Sequence, residues 1–265
     1  MSNVFILTYC RNMDLFYGTE LIFKSLRIGF PNAEVVVVDN SSLPEAREKI
    51  ESLARGNDCR FQQLSGKGTQ HHDFIQDTIS GLANNGAGGS VVFLDPDICF
   101  WENCEDFEFD GLVAGKLIQP FHDSVTKTRT MPRLHTSFLW IPDVRKLAEA
   151  IRKARVNHFD FHPFLPYSFV FNGKWYRYDT GASLYAAFSD RVSRFTEKHL
   201  NRYDHIFCGS HIDWLLASYD SEIREFMLDV HERAKRGDIK SLRGIWRRQN
   251  ERLGDTVQAV RTERG

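Results

Sequence analysis

Asp95 and Asp97 flank Pro96 at the end of four consecutive apolar residues, 91–94 (VVFL). In an extended chain residues i and i+2 point the same way, so the two carboxylates can address one site. Pro96 fixes the local turn and cannot prolong a central strand. Carboxylates converging on a strand end suit a hard divalent cation: Mg2+ or Mn2+ is commonly held by one or two protein carboxylates, with phosphate oxygens completing the shell. An isolated D-P-D triplet equally suits a turn or a helix cap. The elements around it decide between these readings.

Residues 4–8 (VFILT) and 33–39 (AEVVVVD) are continuous apolar runs, and residues 13–29 between them carry Leu15, Ile22 and Leu26 at helical spacing until Pro31. Ser42 and Glu45 form a potential capping box, with Pro44 in the first turn and Gly56 at the C-terminal end of the next helix. A shorter strand over 59–64, a helix over 72–84 and the strand at 91 complete a βαβαβαβ pattern. Continuous rather than alternating hydrophobicity in strands separated by helices implies a parallel sheet covered on both faces. Beyond Asp97 the spacing predicts strands over 112–118 and 133–141 and a helix over 143–155. An irregular aromatic stretch follows over 158–181, then helices after Asp179, over 212–218 and from 222, the last interrupted at Gly237 and Gly244.

With 265 residues, 42% hydrophobic and 26% charged, the chain can bury a large core and lies far from disordered compositions. A net charge of −1 gives no global argument for a nucleic-acid or membrane partner. Five cysteines without a C-x-x-C pair disfavour a disulfide framework and a zinc knuckle. The start MSNVFILTYC has no basic region or cleavage site, and no run reaches transmembrane length. These features place the chain in the cytoplasm, with peripheral contact to a membrane left open.

In a parallel α/β sheet, ligands bind outside the carboxyl ends of the strands. Three such ends are polar here: Thr8-Tyr9-Cys10-Arg11, Asp39-Asn40-Ser41 and Asp95-Pro96-Asp97. At this point the sequence resembles the GT-A glycosyltransferases, particularly family-2-like enzymes that use nucleotide sugars. The resemblance lies in FILTYCRN, VVVVDNSS and VVFLDPDI and covers about the first 120 residues by order and chemistry of elements. It implies an α/β fold of GT-A (Rossmann-like) type, a mostly parallel sheet flanked by helices with a helical C-terminal extension. Residues 1–220 would form the catalytic domain, 1–110 its nucleotide-sugar half and 111–220 its acceptor half, with 221–265 a charged helical extension.

The resemblance further implies a role for each matching residue. Asp95 and Asp97 stand as the D-x-D pair, binding Mn2+ or Mg2+ and the donor's diphosphate, and a C-terminal histidine, His205 or His211, closes the metal site. Asp39 stands as the base or ribose contact, with Thr8, Tyr9, Arg11 and Lys67 along the nucleotide, and Gly68 and His71 in the segment before the third helix. Asp179, in YDTG, is the candidate general base of an inverting transfer, with helix capping as the rival role and Asp213 in reserve. His135, Thr136 and Ser137 would face the acceptor, and the aromatic stretch, with Trp175 and Tyr176, would form an acceptor lid or pack beneath a long loop. The partners implied are a nucleoside-diphosphate sugar and a hydroxyl-bearing acceptor, a glycan or a lipid-linked sugar among them. The Arg243, Trp246, Arg247 and Arg248 tail offers either a solvated, self-associating helix or a surface for an anionic partner. Two other readings stay open: a sugar-phosphate nucleotidyltransferase, disfavoured because no glycine-rich loop follows the first strand, and a non-catalytic sugar- or nucleotide-binding module with the same fold.

Overall fold

The computed structural model describes residues 3–64, 70–120, 122–123, 128–157, 161–206 and 221–245. The first half is the expected alternation: β1 (Asn3–Thr8), α1 (Met13–Gly29), β2 (Glu34–Asp39), α2 (Pro44–Gly56), β3 (Arg60–Gln63), α3 (His71–Asn84) and β4 (Val91–Leu94). Then come β5 (Ile98–Phe100), β6 (Val113–Ile118), β7 (His122–Asp123), β8 (Thr128–Thr130), β9 (Arg133–Ile141), α4 (Val144–Asn157), β10 (Tyr167–Phe171) and β11 (Lys174–Tyr178). The described chain ends with α5 (Ala182–Phe188), β12 (Val192–Arg194), α6 (Glu197–Leu200), β13 (Tyr203–His205), α7 (Ser221–Lys235) and a 3-10 turn, Ile239–Leu242.

Seven strands form one sheet in the order β12-β6-β9-β4-β1-β2-β3. The pairs β1–β2, β2–β3, β1–β4 and β12–β6 are parallel, and β9 runs antiparallel between β4 and β6. The fold is α/β with a mostly parallel central sheet flanked by helices. Both faces are covered, which is why residues 4–7 of β1, 35–38 of β2 and all of β4 are apolar. Val92 and Leu94 pack with Leu15, Ile22, Leu26 and Ile50 on one face, while Val91 and Phe93 pack with Phe74, Ile75, Ile79 and Leu147 on the other. Asn12 caps α1 by accepting from the Leu15 amide at 3.0 Å.

Local chemistry departs from expectation in two places. Ser42 does not cap α2: the N-cap is Leu43, without a side-chain bond. The Ser42 amide instead donates to the Cys10 carbonyl, which draws the start of α2 against the loop after β1. The 158–181 stretch holds a β-hairpin rather than only irregular chain. Asn172 and Gly173, both at positive φ (50° and 72°), make its two-residue turn, the geometry favoured by Asn-Gly between strands. The hairpin belongs to a small sheet ordered β10-β11-β8-β7.

The C-terminal segment, helical over 221–235 as expected and with Gly237 and Gly244 both in the left-handed region, packs onto the body. Val230, Ala234, Leu242 and Ile245 share a buried cluster with Leu21 of α1, Cys99 of β5 and Ile206. Cys10, Cys59, Cys99 and Cys104 are free and buried. Burial pushes the thiols of Cys10 and Cys59 up to about 11, so neither is a reactive nucleophile near neutrality.

Candidate metal centre

Parallel pairing aligns the carboxyl ends of β4, β1 and β2, with Ile6 opposite Leu94 and Thr8 opposite Asp39. Asp95 and Asp39 therefore stand two strand spacings apart, about 10 Å, on one edge. Asp39 is fully buried. Its Oδ1 accepts from Thr8 Oγ1 at 2.8 Å and from Ser41 Oγ at 2.5 Å, and Ser41 Oγ accepts from the Cys10 amide at 2.8 Å. Its Oδ2 has no hydrogen-bond partner among the described residues, and Arg47 Nε lies 3.7 Å away. A buried carboxylate oxygen left in this state favours a donor brought by a ligand. Tyr9 and Arg11 follow β1 on the exposed side of the same edge.

The D-P-D segment is braced from several sides. The Asp95 amide donates to the Ser137 carbonyl at 2.8 Å, and the Pro96 carbonyl accepts from the Ile22 amide in α1 at 3.1 Å. After Asp97 the chain continues as β5, which Ser25 holds by accepting from the Phe100 amide at 2.9 Å. Contact with α1 is close enough that a Cβ on Gly29 would sit 2.3 Å from the Phe100 ring. β5 pairs antiparallel with β13, placing His205 opposite Ile98, and the Ile206 amide donates to the Asp97 carbonyl at 2.9 Å. Buried Asp204 fastens this pair: its Oδ2 accepts from Trp101 Nε1 and from the Gly244 amide, each at 2.7 Å.

This pairing brings His205 to the aspartates across more than a hundred residues of sequence. Asp95, Asp97 and His205 each offer one ligand atom, all within 4.8 Å of one another. His205 Nε2 lies 3.1 Å from Asp97 Oδ1 and 3.9 Å from Asp95 Oδ2, and His71 Nε2, at the start of α3, lies 3.4 Å from Asp95 Oδ1. Burial alone would lower the pKa of His205, but the field of Asp97, its hydrogen bond and then Asp95 outweigh it and hold the imidazole above its ordinary value. The His135 ring sits 5.0 Å from that of His205. Burial first, and the neighbouring His205 and Arg133 next, keep the pKa of His135 well below the ordinary value. Two histidines in ring contact are thus driven toward opposite charge states.

His135 lies beside His205, whereas Thr136 and Ser137 are buried in the strand. Asp179 is engaged elsewhere: Oδ2 meets Arg133 Nη2 at 3.0 Å, and Oδ1 accepts from the Thr180 amide at 3.0 Å with Arg177 Nη2 at 3.7 Å. The helix after it is capped by Gly181, at φ 84°, where a Cβ would press on the Leu134 carbonyl at 3.0 Å. Lys67, Gly68, His211 and Asp213 lie outside the described residues, as do Trp246, Arg247 and Arg248. Sequence reasoning passed over Lys116, whose positive charge reaches both His135 and His205. It sits where β6 slips register against β9, between Gly115 and Leu117, and no residue pattern announces such a bulge in advance.

No family model matches the chain, and no curated protein matches it. Among solved structures, the chain is similar to a nucleoside-diphosphate-sugar pyrophosphorylase from Vibrio cholerae RC9 at 11% identity and a TM-score of 0.44, over 79% of this chain and 97% of that one. It is also similar to the glycosyltransferase GlyE of Streptococcus pneumoniae TIGR4, at 12% identity and a TM-score of 0.45, over 86% of this chain and 50% of that one. A third is the mannosyltransferase PcManGT from Pyrobaculum calidifontis, solved with GDP-Man and Mn2+, at 14% identity and a TM-score of 0.39, over 87% of this chain and 62% of that one.

The donor set fits a divalent ion on its own chemistry. Two carboxylates and an imidazole suit Mn2+, and carboxylates suit Mg2+. Neighbouring oxygens around such an ion stand roughly 3 Å apart, close to the 3.1 Å between His205 Nε2 and Asp97 Oδ1.

Proposed function

We propose that this protein is a metal-dependent glycosyltransferase that moves a sugar from a nucleoside-diphosphate donor to an acceptor hydroxyl. The observation that carries this reading is the meeting of Asp95, Asp97 and His205 on the strand edge that also holds the half-satisfied Asp39. Asp95, Asp97 and His205 would hold Mn2+ or Mg2+. A bound divalent ion supplies charge neutralisation for a departing diphosphate.

The chain's own groups do the rest. Asp39 Oδ2 accepts from the nucleoside, with Thr8 and Ser41 fixing the carboxylate through its other oxygen. His71 orients Asp95 through its contact with Oδ1. Lys116 adds positive charge beside His205, where it favours a phosphate. Arg133 and Arg177 engage both oxygens of Asp179 in ion pairs, so its role in this reading is to position Arg133 beside His135 rather than to take the acceptor's proton.

The test is a thermal-shift panel of UDP-, GDP-, CMP- and dTDP-sugars with and without Mn2+, repeated on Asp97→Asn. A ligand that binds only the native state raises the melting temperature. The expected result is a shift from one nucleotide class that requires Mn2+ and disappears in Asp97→Asn. A folded protein that responds to no nucleotide sugar, or whose response survives in Asp97→Asn, would overturn the reading.

A further inference from the structure

The hairpin β10–β11 carries the most exposed large apolar side chains among the described residues: Val170, Phe171 and Trp175 are 52%, 59% and 54% exposed. Val170 pairs with Trp175 and Phe171 with Lys174 across the strands. Successive strand residues point to opposite faces, so Val170 and Trp175 occupy one face of the tip and Phe171 the other. A flat partner, such as a stacked sugar ring or a second protein surface, covers one face of a sheet and leaves the other in water. A lipid interface surrounds an inserted tip on all sides, and a tip apolar on both faces matches that environment.

The hairpin behind the tip is stiffened by its own rings. Phe169 stacks on Tyr176 at 5.3 Å and 17°, and Tyr167 stacks on Tyr178 at 4.8 Å and 9°. Tyrosine and tryptophan favour the headgroup level, where one end of the ring is wet and the other apolar. Charge points the same way. Strands β8, β10 and β11 contain Arg129, Lys174 and Arg177 and no acidic residue. Arg177 faces Asp179 at 3.7 Å. β7, at the far edge of the same sheet, adds Asp123, while Arg129, opposite Tyr176, and Lys174 stand as exposed cations beside the apolar tip, where they can meet lipid phosphates.

We propose that the β10–β11 hairpin docks this protein on an anionic lipid surface, with Val170, Phe171 and Trp175 entering the interface and Lys174 and Arg129 meeting the headgroups. Val170, Phe171, Lys174, Trp175 and Arg129 are not among the clustered residues Asp95, Asp97 and His205, so vesicle binding is measured without reference to the proposed transfer reaction.

The test is co-sedimentation of the full chain with phosphatidylcholine vesicles and with vesicles that also carry phosphatidylglycerol. Binding to the anionic vesicles is expected, weakening as salt is added. The triple variant Val170→Ser, Phe171→Ser, Trp175→Ser should lose roughly tenfold or more of that binding. Lys174→Glu should weaken it severalfold. These side chains are exposed, so an unchanged melting temperature is expected for both variants. As a second measurement that needs no loss of apolar surface, brominated phosphatidylcholine mixed into the anionic vesicles should quench tryptophan fluorescence in the native protein and distinctly less in Trp175→Phe. Native protein that sediments with neither vesicle, a triple variant that binds as well as the native chain, or quenching equal in Trp175→Phe would each overturn the proposal. Self-association that the triple variant abolishes, without vesicle binding, would assign the hairpin to a second copy of this chain instead.

Discussion

A carboxylate's partners decide what it can do, and Asp95, Asp97, Asp39 and Asp179 differ in theirs. Asp95 and Asp97 face histidines, buried Asp39 has one oxygen hydrogen-bonded and the other without a hydrogen-bond partner among the described residues, and Asp179 is held by two arginines and an amide. The Asp179→Asn variant separates two roles that one sequence motif allowed. Removing a general base typically costs 10²–10⁴-fold in rate. We expect instead a loss in kcat below about tenfold, with a lowered melting temperature because Arg133 loses its charged partner, a cost of about 1–3 kcal/mol. Turnover measurements on a donor identified by thermal shift, together with melting curves, check this. A loss in kcat of the larger size with unchanged stability would restore Asp179 as the base.

The elements that build the centre differ in how plainly the sequence announces them. β1, β2 and β4 are unbroken apolar runs, and their polar ends fall where a parallel sheet gathers ligands. β5 and β13 are three residues each, too short for periodicity to register, yet their pairing carries His205 to Asp95 and Asp97. Asp204 holds that pair from the side. In Asp204→Ala the Trp101 indole N–H and the Gly244 amide lose their acceptor, which should destabilise the protein by about 1–3 kcal/mol. Mn2+ affinity should fall as well, because β13 no longer fixes the imidazole. Calorimetric titration of Mn2+ into the folded variant checks the second effect; affinity equal to the native protein's would remove Asp204 from the positioning of His205. The hairpin β10–β11 is a different kind of miss. Asn172-Gly173 is a strong turn signal between apolar runs, but aromatic residues on both faces hid the alternation that marks its strands.

For the whole molecule, burying a histidine pair makes stability depend on pH. In the unfolded chain His135 titrates near the ordinary 6.5, while in the folded protein its pKa lies well below that. Between those values the unfolded state holds the proton and the folded state does not, so stability is lost as pH falls below about 6.5. His205 acts oppositely: its pKa is raised, so its stabilisation is complete below 6.5 and is lost as pH rises through the folded value. His135→Asn should therefore flatten the acid side of the profile. Urea midpoints measured with chelator at about pH 7 and about pH 5 should fall less in the variant than in the native protein. An equal fall in both would mean that His135 is not held neutral.

The sequence by itself determined the parallel sheet, its two covered faces and the three polar strand ends, because continuous hydrophobicity and strand-end chemistry are local properties of the chain. It also put two aspartates at one strand end, and the turn at Pro96 and Asp97 after β4 brings their carboxylates together. Tertiary structure decided which distant groups meet them. Antiparallel pairing of β5 with β13 selected His205, the slip between β6 and β9 placed Lys116, and ion pairs with Arg133 and Arg177 engaged Asp179 apart from Asp95 and Asp97. Those choices depend on register between segments far apart in sequence, and a shift of one residue in a strand turns every side chain to the opposite face.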